Sequence, residues 1–405
     1  MPQRPSVLIT LTLGLALGPA IALGLARFAY ALILPAMSDD LDWSYAQAGG
    51  MNAANAVGYL VGALAAAGTV VRFGARRALI GALIVTTAAL CLTGVTGAYA
   101  LLVVVRVITG IGSGIGLVAG GVVVSGLGET VVPPAEAPSR RLLPLVGLYY
   151  AGAGIGILVS ALVLPVVLGD AVTDRWRVTW VVTGALALVA TLVVAGVARR
   201  VPAEPPELRR SPDSRVDWRS AGLVPALVAY LLFGLGYIAY MTFVVDLLRD
   251  RGTGTGGVTL FWSVLGIAAA LSGLAWQRAL TGSHETRTFV ALLVLLAVGG
   301  ALPLLVDAYG VALVSAVFFG LTFLMVPAMT TVLVQRHLPT SARSAGIATF
   351  TAVFAVGQIL GPILTGLVTD ATGDLRSGLA WSAAILVAAA AVSLLHRPGQ
   401  RSSAS

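Results

Sequence analysis

Twelve times along the chain, a run of about 20 apolar residues is broken by a short cluster of charges, prolines or polar residues. That recurrence constrains the fold more than any single motif. Roughly 20 apolar residues is the length an α-helix needs to cross a hydrocarbon core about 30 Å thick. The runs fall at about 7–36, 45–68, 77–97, 99–128, 142–168 and 177–198, then at 220–247, 257–277, 288–306, 310–334, 344–369 and 376–396. With 58% hydrophobic and only 10% charged residues, the chain lies far from the soluble balance of about 25% charged, so a soluble globule is excluded. Disorder is excluded by the same apolar excess. The alanine, leucine and valine runs lack the polar/apolar alternation of an outer-membrane barrel. What remains is an all-α membrane protein with twelve transmembrane helices. Its narrowest joins are Thr96 to Ala98 and Asp307 to Tyr309.

Charge on alternate loops sets the orientation, because arginine and lysine favour the cytoplasmic side. Every basic residue is arginine. With the N-terminus inside, 18 arginines fall on cytoplasmic segments and five on outer ones, while Arg27 and Arg106 lie within spans. Both termini are therefore expected in the cytoplasm, and the cell membrane is read as a bacterial inner membrane. A net charge of +8 would raise the question of nucleic acid in a soluble protein, but no basic cluster is interleaved with exposed aromatics, so no nucleic-acid partner is expected. The single cysteine, Cys91, forbids an intramolecular disulfide. The histidines, His284, His337 and His396, sit at or beyond span ends, and neither a metal site nor a cofactor is expected.

One substantial linker, Arg199 to Arg219, carries Pro202, Pro205, Pro206 and Pro212 among six arginines, and prolines at that density prevent an amphipathic helix. It divides the chain into a first six-helix bundle at 1–198, a cytoplasmic linker at 199–219 and a second six-helix bundle at 220–405. The halves echo each other weakly. GAGIG at 152–156 is followed by Pro165, and GQILGP spans 357–362. A repeated six-helix half suits a transporter that rocks about a site at the membrane midplane.

The sequence resembles the major facilitator superfamily over essentially its whole length. RFGARR at 72–77 is similar to the end of that superfamily's loop signature, and RVITGIGSGIG at 106–116 to the arginine-then-glycine signature of its fourth helix. Val71 stands where the loop signature has an aspartate, so that residue's charge-relay role is not carried over. GLARFAYALILPAM at 24–37, WSYAQAGGMNAANAVGYLVG at 43–62, YYAGAGIGILVS at 149–160 and FGLGYIAYMTF at 233–243 resemble the YbfB/YjiJ branch. The resemblance implies two pseudo-symmetric bundles, a monomer, and a central cavity lined by the first, fourth, seventh and tenth helices. It also implies gating through Arg72, Arg76 and Arg77 and through the glycines Gly110, Gly112 and Gly116 of the fourth helix. Glycines four apart, at 58 and 62, 112 and 116, 152 and 156, and 357 and 361, are read chiefly as close helix contacts. GIGSGIG at 110–116 follows no strand and is not a nucleotide loop.

The sharpest chemistry lies in the two arginines inside spans. A charged residue at a helix centre costs about 2.5–3.5 kcal/mol on insertion scales, so it is usually paired or turned into a polar cavity. Arg27 lies about 15 Å from the outer end of its run and Arg106 about 12 Å from its own, which places them at similar depth. Asn52, Asn55, Tyr237 and Gln358 reach comparable depth, and Tyr30, Tyr59, Tyr150 and Tyr240 are further wall candidates, with Thr322 added by the resemblance. No acid lies near the middle of a span, and two cations without an acid prefer an anionic cargo. Arg106 equally suits a structural role, holding carbonyls or bridging helices. Asp246, near the outer end of the seventh span, is the best candidate proton carrier, although it also reads as a helix-end charge beside Arg249. The expected function is secondary active transport of a small acidic or amphipathic organic solute by alternating access, with proton coupling implied by the resemblance and facilitated diffusion or anion exchange left open by the residues, and the alternative is a multidrug/proton antiporter exporting neutral or cationic compounds. An enzyme is not expected, since no histidine, cysteine pair or carboxylate pair lies within the spans.

Overall fold

The structure, a computed structural model, describes residues 5–129, 139–169, 175–201, 222–339 and 342–396. Its transmembrane helices are α1 (Val7–Leu41), α2 (Tyr45–Phe73), α3 (Ala75–Thr93), α4 (Tyr99–Leu127), α5 (Leu145–Leu168) and α6 (Arg175–Ala198). The second set comprises α7 (Val224–Asp250), α8 (Thr255–Thr281), α9 (Glu285–Leu305), α10 (Tyr309–His337), α11 (Ala345–Thr372) and α12 (Leu375–Ser393). Twelve helices match the count read from the apolar runs, and both narrow joins hold. Most of the linker expected at 199–219 lies outside the described residues.

Packing repeats between the halves. In the first bundle α4 packs on α2 and α3, α6 on α3, and α1 on α5 and α6. The same pairings recur six helices later, with α10 on α8 and α9, α12 on α9, and α7 on α11 and α12. Two pseudo-symmetric six-helix bundles result. They meet where α2 runs beside α11, where α5 runs beside α8, and where the second part of α1 touches α7.

In lipid, helices gain no hydrophobic drive toward each other, so close contact depends on small residues and dispersion. A Cβ at Gly58 or Gly62 of α2 would collide with the Val107 or Ile111 carbonyl of α4, and one at Gly110 or Gly114 would collide with α2 backbone between Asn55 and Ala63. The reciprocal set facing α2 is thus 110 and 114. Gly112 faces Ala82 and Thr86 of α3, and a Cβ at Gly116 would meet only ordinary contact with Leu83. The four-residue spacing was legible, but the partner of each glycine depends on which face of α4 it occupies.

Two helices depart from uniform winding. Helix α1 is longer than its apolar run and winds as a π-helix over Ala20–Phe28, with Ala29 N–H donating to the Gly24 carbonyl. Helix α10 breaks at Leu324, between Tyr309–Phe323 and Met325–His337. The turn between α2 and α3 falls at Gly74, whose φ of 81° is open to glycine and strained for other residues.

Gly110→Val should lower the unfolding temperature in detergent, with an overpacking penalty of about 1–3 kcal/mol, whereas Gly116→Ala should leave it nearly unchanged. Equal unfolding temperatures for both variants would contradict the α2–α4 contact.

Candidate functional site

Arg27 and Arg106 are both buried, at 3% and 1% exposure, yet their surroundings differ. Arg106 sits in a cage. Its Nη1 donates to the Ala26 carbonyl at 3.0 Å, and its guanidinium lies over the rings of Tyr30 and Trp180 at 5.0 and 5.3 Å. Ala26 belongs to the π-wound segment, where carbonyls leave the regular α ladder, so Arg106 supplies a donor to irregular backbone inside the membrane. Tyr30 completes the cage by donating its hydroxyl to the Ala48 carbonyl at 2.8 Å and stacking on Trp180. Asn55 donates to the Arg106 carbonyl at 3.4 Å.

Arg27 projects from the same π segment without such a cage. Its Nε and Nη2 are buried without a hydrogen-bond partner, as are the Nε and Nη2 of Arg106, but Arg27 lacks the carbonyl bond and the second ring that hold Arg106, its one ring contact being Tyr59, 5.8 Å from the guanidinium carbon. Among the described residues, the ion pairs Arg251–Asp307, Arg336–Glu285, Arg376–Asp307 and His337–Glu285 lie at helix ends, and no carboxylate pairs with either deep arginine. The two arginines lie within electrostatic reach of each other, and Arg27 also reaches Tyr237. Arg106 reaches the carbonyl of Ala26, the residue beside Arg27, so its guanidinium lies at the level of the Arg27 backbone even though α1 continues to Leu41.

Across from Arg27 the second bundle presents aromatics. Tyr237 stacks on Phe233 at 4.6 Å, on Phe354 at 5.7 Å and on Phe323 at 6.3 Å, while Gln358 donates to its hydroxyl. Phe323 meets Phe28 of the first bundle edge-on at 5.5 Å. The Gln358 Oε1 is buried without a partner. Phe233, Phe323 and Phe354 were not among the sequence candidates. Their signal was present, since Tyr230, Phe233 and Tyr237 share one face of α7, as do Phe350 and Phe354 on α11. The other candidates scatter. Tyr150 is 39% exposed on α5, stacked edge-on against Tyr149. Tyr240 is tied to Ser315 at 2.6 Å and stacked on Phe319 inside the second bundle, and Thr322 bonds back to its own helix.

Between the bundles, the contacts run from the face opposite the termini toward the middle. At that far face Asp370 of α11 accepts from the Tyr45 and Ala46 N–H groups of α2 at 2.9 and 3.0 Å. Ser44 accepts from Gln47 N–H, so the first three N–H groups of α2 are satisfied, two of them by the other bundle. Tyr45 lies within electrostatic reach of Asp246, its ring meets Phe243 at 5.8 Å, and Asn52 donates to Thr242 at 2.6 Å. Asp246 therefore lies on the seam between bundles, within electrostatic reach of Asp39 and Asp250 as well as Arg249. At the termini face, Arg72 and Arg77 are exposed and Arg76 is half-buried. The histidines are less dispersed than their sequence positions imply, since the rings of His337 and His396 meet at 5.4 Å, yet no group with a metal-binding arrangement occurs among the described residues.

A family model described as "Uncharacterised MFS-type transporter YbfB" matches residues 19–394. Similar folds are found among solved transporters. A mutant of the nucleoside transporter NupG aligns with a TM-score of 0.76 at 14% identity, over 96% of this chain and 100% of that one. A bacterial homologue of the human lysosomal transporter Spinster, inward-facing and unoccupied, gives 0.72 at 15% identity, over 99% and 100%. The human organic anion transporter TETRAN gives 0.64 at 14%, over 96% and 100%. At these identities the likeness is one of fold.

Removing the caged arginine and removing the free one should have opposite effects on stability. Arg106→Gln removes the charged donor to the Ala26 carbonyl and the contacts with both rings and should destabilise by about 1–3 kcal/mol, lowering the unfolding temperature. Arg27→Gln removes a buried charge without a partner and should leave that temperature unchanged or higher. Equal losses in both variants would contradict the distinction.

Proposed function

The chain belongs to the YbfB family of MFS-type transporters, a multi-pass membrane transporter and not an enzyme, and from that premise we propose that it carries a small acidic or amphipathic organic solute by alternating access. The observation that carries this reading is that both deep arginines keep Nε and Nη2 buried without a partner and with no paired carboxylate among the described residues, while Arg27 alone is held by no carbonyl and faces the second bundle. A carboxylate or similar group takes both donors as a charge-assisted pair, and the aromatic face of Phe233, Tyr237, Phe323 and Phe354 holds the apolar remainder. Gln358 and Tyr150 complete the set proposed to touch cargo. Arg106, Tyr30 and Asn55 then shape the wall by holding α1, α2 and α4 together, and Tyr240 does the same for α7 and α10.

The arginine distribution supports cytoplasmic termini in a bacterial inner membrane. With that orientation, the latched far face is the outer gate, and the structure corresponds to a state closed to the outside. Opening outward separates α2 from α11 and α7, which breaks the Asp370 bonds to the α2 N-terminus and the Asn52–Thr242 bond and parts Tyr45 from Asp246. Coupling to protons is proposed to act at Asp246, on this seam at the gate and not beside the cargo. The alternative, export of neutral or cationic compounds against protons, draws on the aromatic face and would use Asp246 as the acid.

Thermal unfolding against organic anions, organic cations and neutral sugars separates these readings, because a ligand of the folded state stabilises it by mass action. Organic acids should raise the unfolding temperature of the wild type and have no effect on Arg27→Gln. Stabilisation by cations, or by acids equally in both proteins, would favour the exporter. The latch is tested by spin labels at Asp42 and Gly254, both exposed at the far face. Asp370→Ala removes a cap worth about 1–2 kcal/mol and should shift the distance distribution toward longer separations. An unchanged distribution would rule out Asp370 as the latch.

A further inference from the structure

A second site lies on the outside of the first bundle, at its termini face. Between the end of α2, the first half of α3 and the middle of α4, a groove of about 380 Å³ is lined by Phe73, Arg77, Gly81, Val85, Ile111 and Ile115 among others. Its lining is almost wholly apolar, and Gly81 leaves it open, since a Cβ there would meet nothing within 4 Å. Phe73 and Val85 are exposed, at 52% and 44%, so the groove faces the membrane. It extends from the Gly74 turn toward Val85, eleven residues on, which is about 16 Å along α3 and matches the depth of the first part of an acyl chain.

The mouth is cationic. Arg77 lines it directly, Arg76 adjoins it in sequence, and Arg72 lies over the Phe73 ring at 5.4 Å. Among the described residues, no carboxylate pairs with these three, and Val71 beside them is apolar and 69% exposed. Guanidinium groups at the edge of a bilayer bind phosphate through paired N–H donors, and each adds about fivefold to anionic-lipid affinity.

We propose that this groove is a binding site for an anionic phospholipid of the leaflet at the termini face, with one acyl chain between α2, α3 and α4 and the phosphate held by Arg76 and Arg77. A zwitterionic lipid fits less well, because its ammonium group meets three cations with no acid to receive it. The bound lipid ties the α2–α3 turn to α4 on the side away from the cargo chamber, and the assignment does not depend on what the transporter carries.

Native mass spectrometry of the detergent-purified full-length protein tests this with phosphatidylglycerol, phosphatidylethanolamine of the same acyl chains, and inorganic phosphate. Phosphatidylglycerol should be retained over phosphatidylethanolamine. Arg76→Gln/Arg77→Gln should weaken it by about 25-fold, taking fivefold for each arginine. Gly81→Leu, which fills the groove and keeps the charges, should weaken it as well. Unfolding temperatures in lipid-free detergent check that the variants fold, and Arg77→Lys, which keeps the charge and loses the paired donors, should weaken retention if the double variant does not fold. Equal retention of the two lipids, retention unchanged in the variants, or inorganic phosphate binding as tightly as phosphatidylglycerol would each overturn the assignment.

Discussion

Within the hydrocarbon layer no water relieves an unpaired polar group, so each buried donor or acceptor must find a protein partner or be kept for a ligand. This constraint separates the two deep arginines. Arg106 donates to the Ala26 carbonyl in the π-wound stretch of α1, and the rings of Tyr30 and Trp180 flank its guanidinium. Each arginine keeps a buried Nε and Nη2 without a partner, but Arg27, one residue along the same stretch, lacks that carbonyl bond and second ring. Arg27 lies within electrostatic reach of Tyr237 of the second bundle. A π segment is less favourable than α, and its persistence here is consistent with the placement it gives these side chains.

The same constraint governs the seam between bundles. A helix N-terminus leaves N–H groups without partners, and at α2 two of them are taken by a carboxylate from α11. The bundles are thus joined at the far face by bonds from a side chain of one to the backbone of the other. At the other end of α2, exposed Val71 stands beside Arg72.

Twelve helices were legible in the apolar runs, because length and hydropathy decide which segments suit a bilayer, whereas the two-bundle packing was expected from the linker, the weak internal repeat and the family resemblance. Arg27 was legible because a charge in an apolar run is conspicuous. Arg106 was ambiguous because its partner is a backbone carbonyl 80 residues away, which no side-chain pattern marks. Asp370 was missed because its bond to Tyr45 spans 325 residues and joins a side chain to backbone. The aromatic face could have been found, since its members recur at helical spacing along α7 and α11. Gly112 was grouped with Gly116 by spacing, yet the contact with α2 is made by Gly110 and Gly114, because membership of a face depends on the neighbour as well as the period.

The central claim is that Arg27 is held open for an anion of the cargo. The most direct measurement is an experimental structure of the protein with a stabilising organic acid bound. The account predicts a carboxylate within hydrogen-bond distance of Arg27 Nε and Nη2, with the ligand's apolar part against Tyr237, Phe323 and Phe354. A ligand seated away from Arg27, or Arg27 donors satisfied by protein groups or water alone, would contradict it.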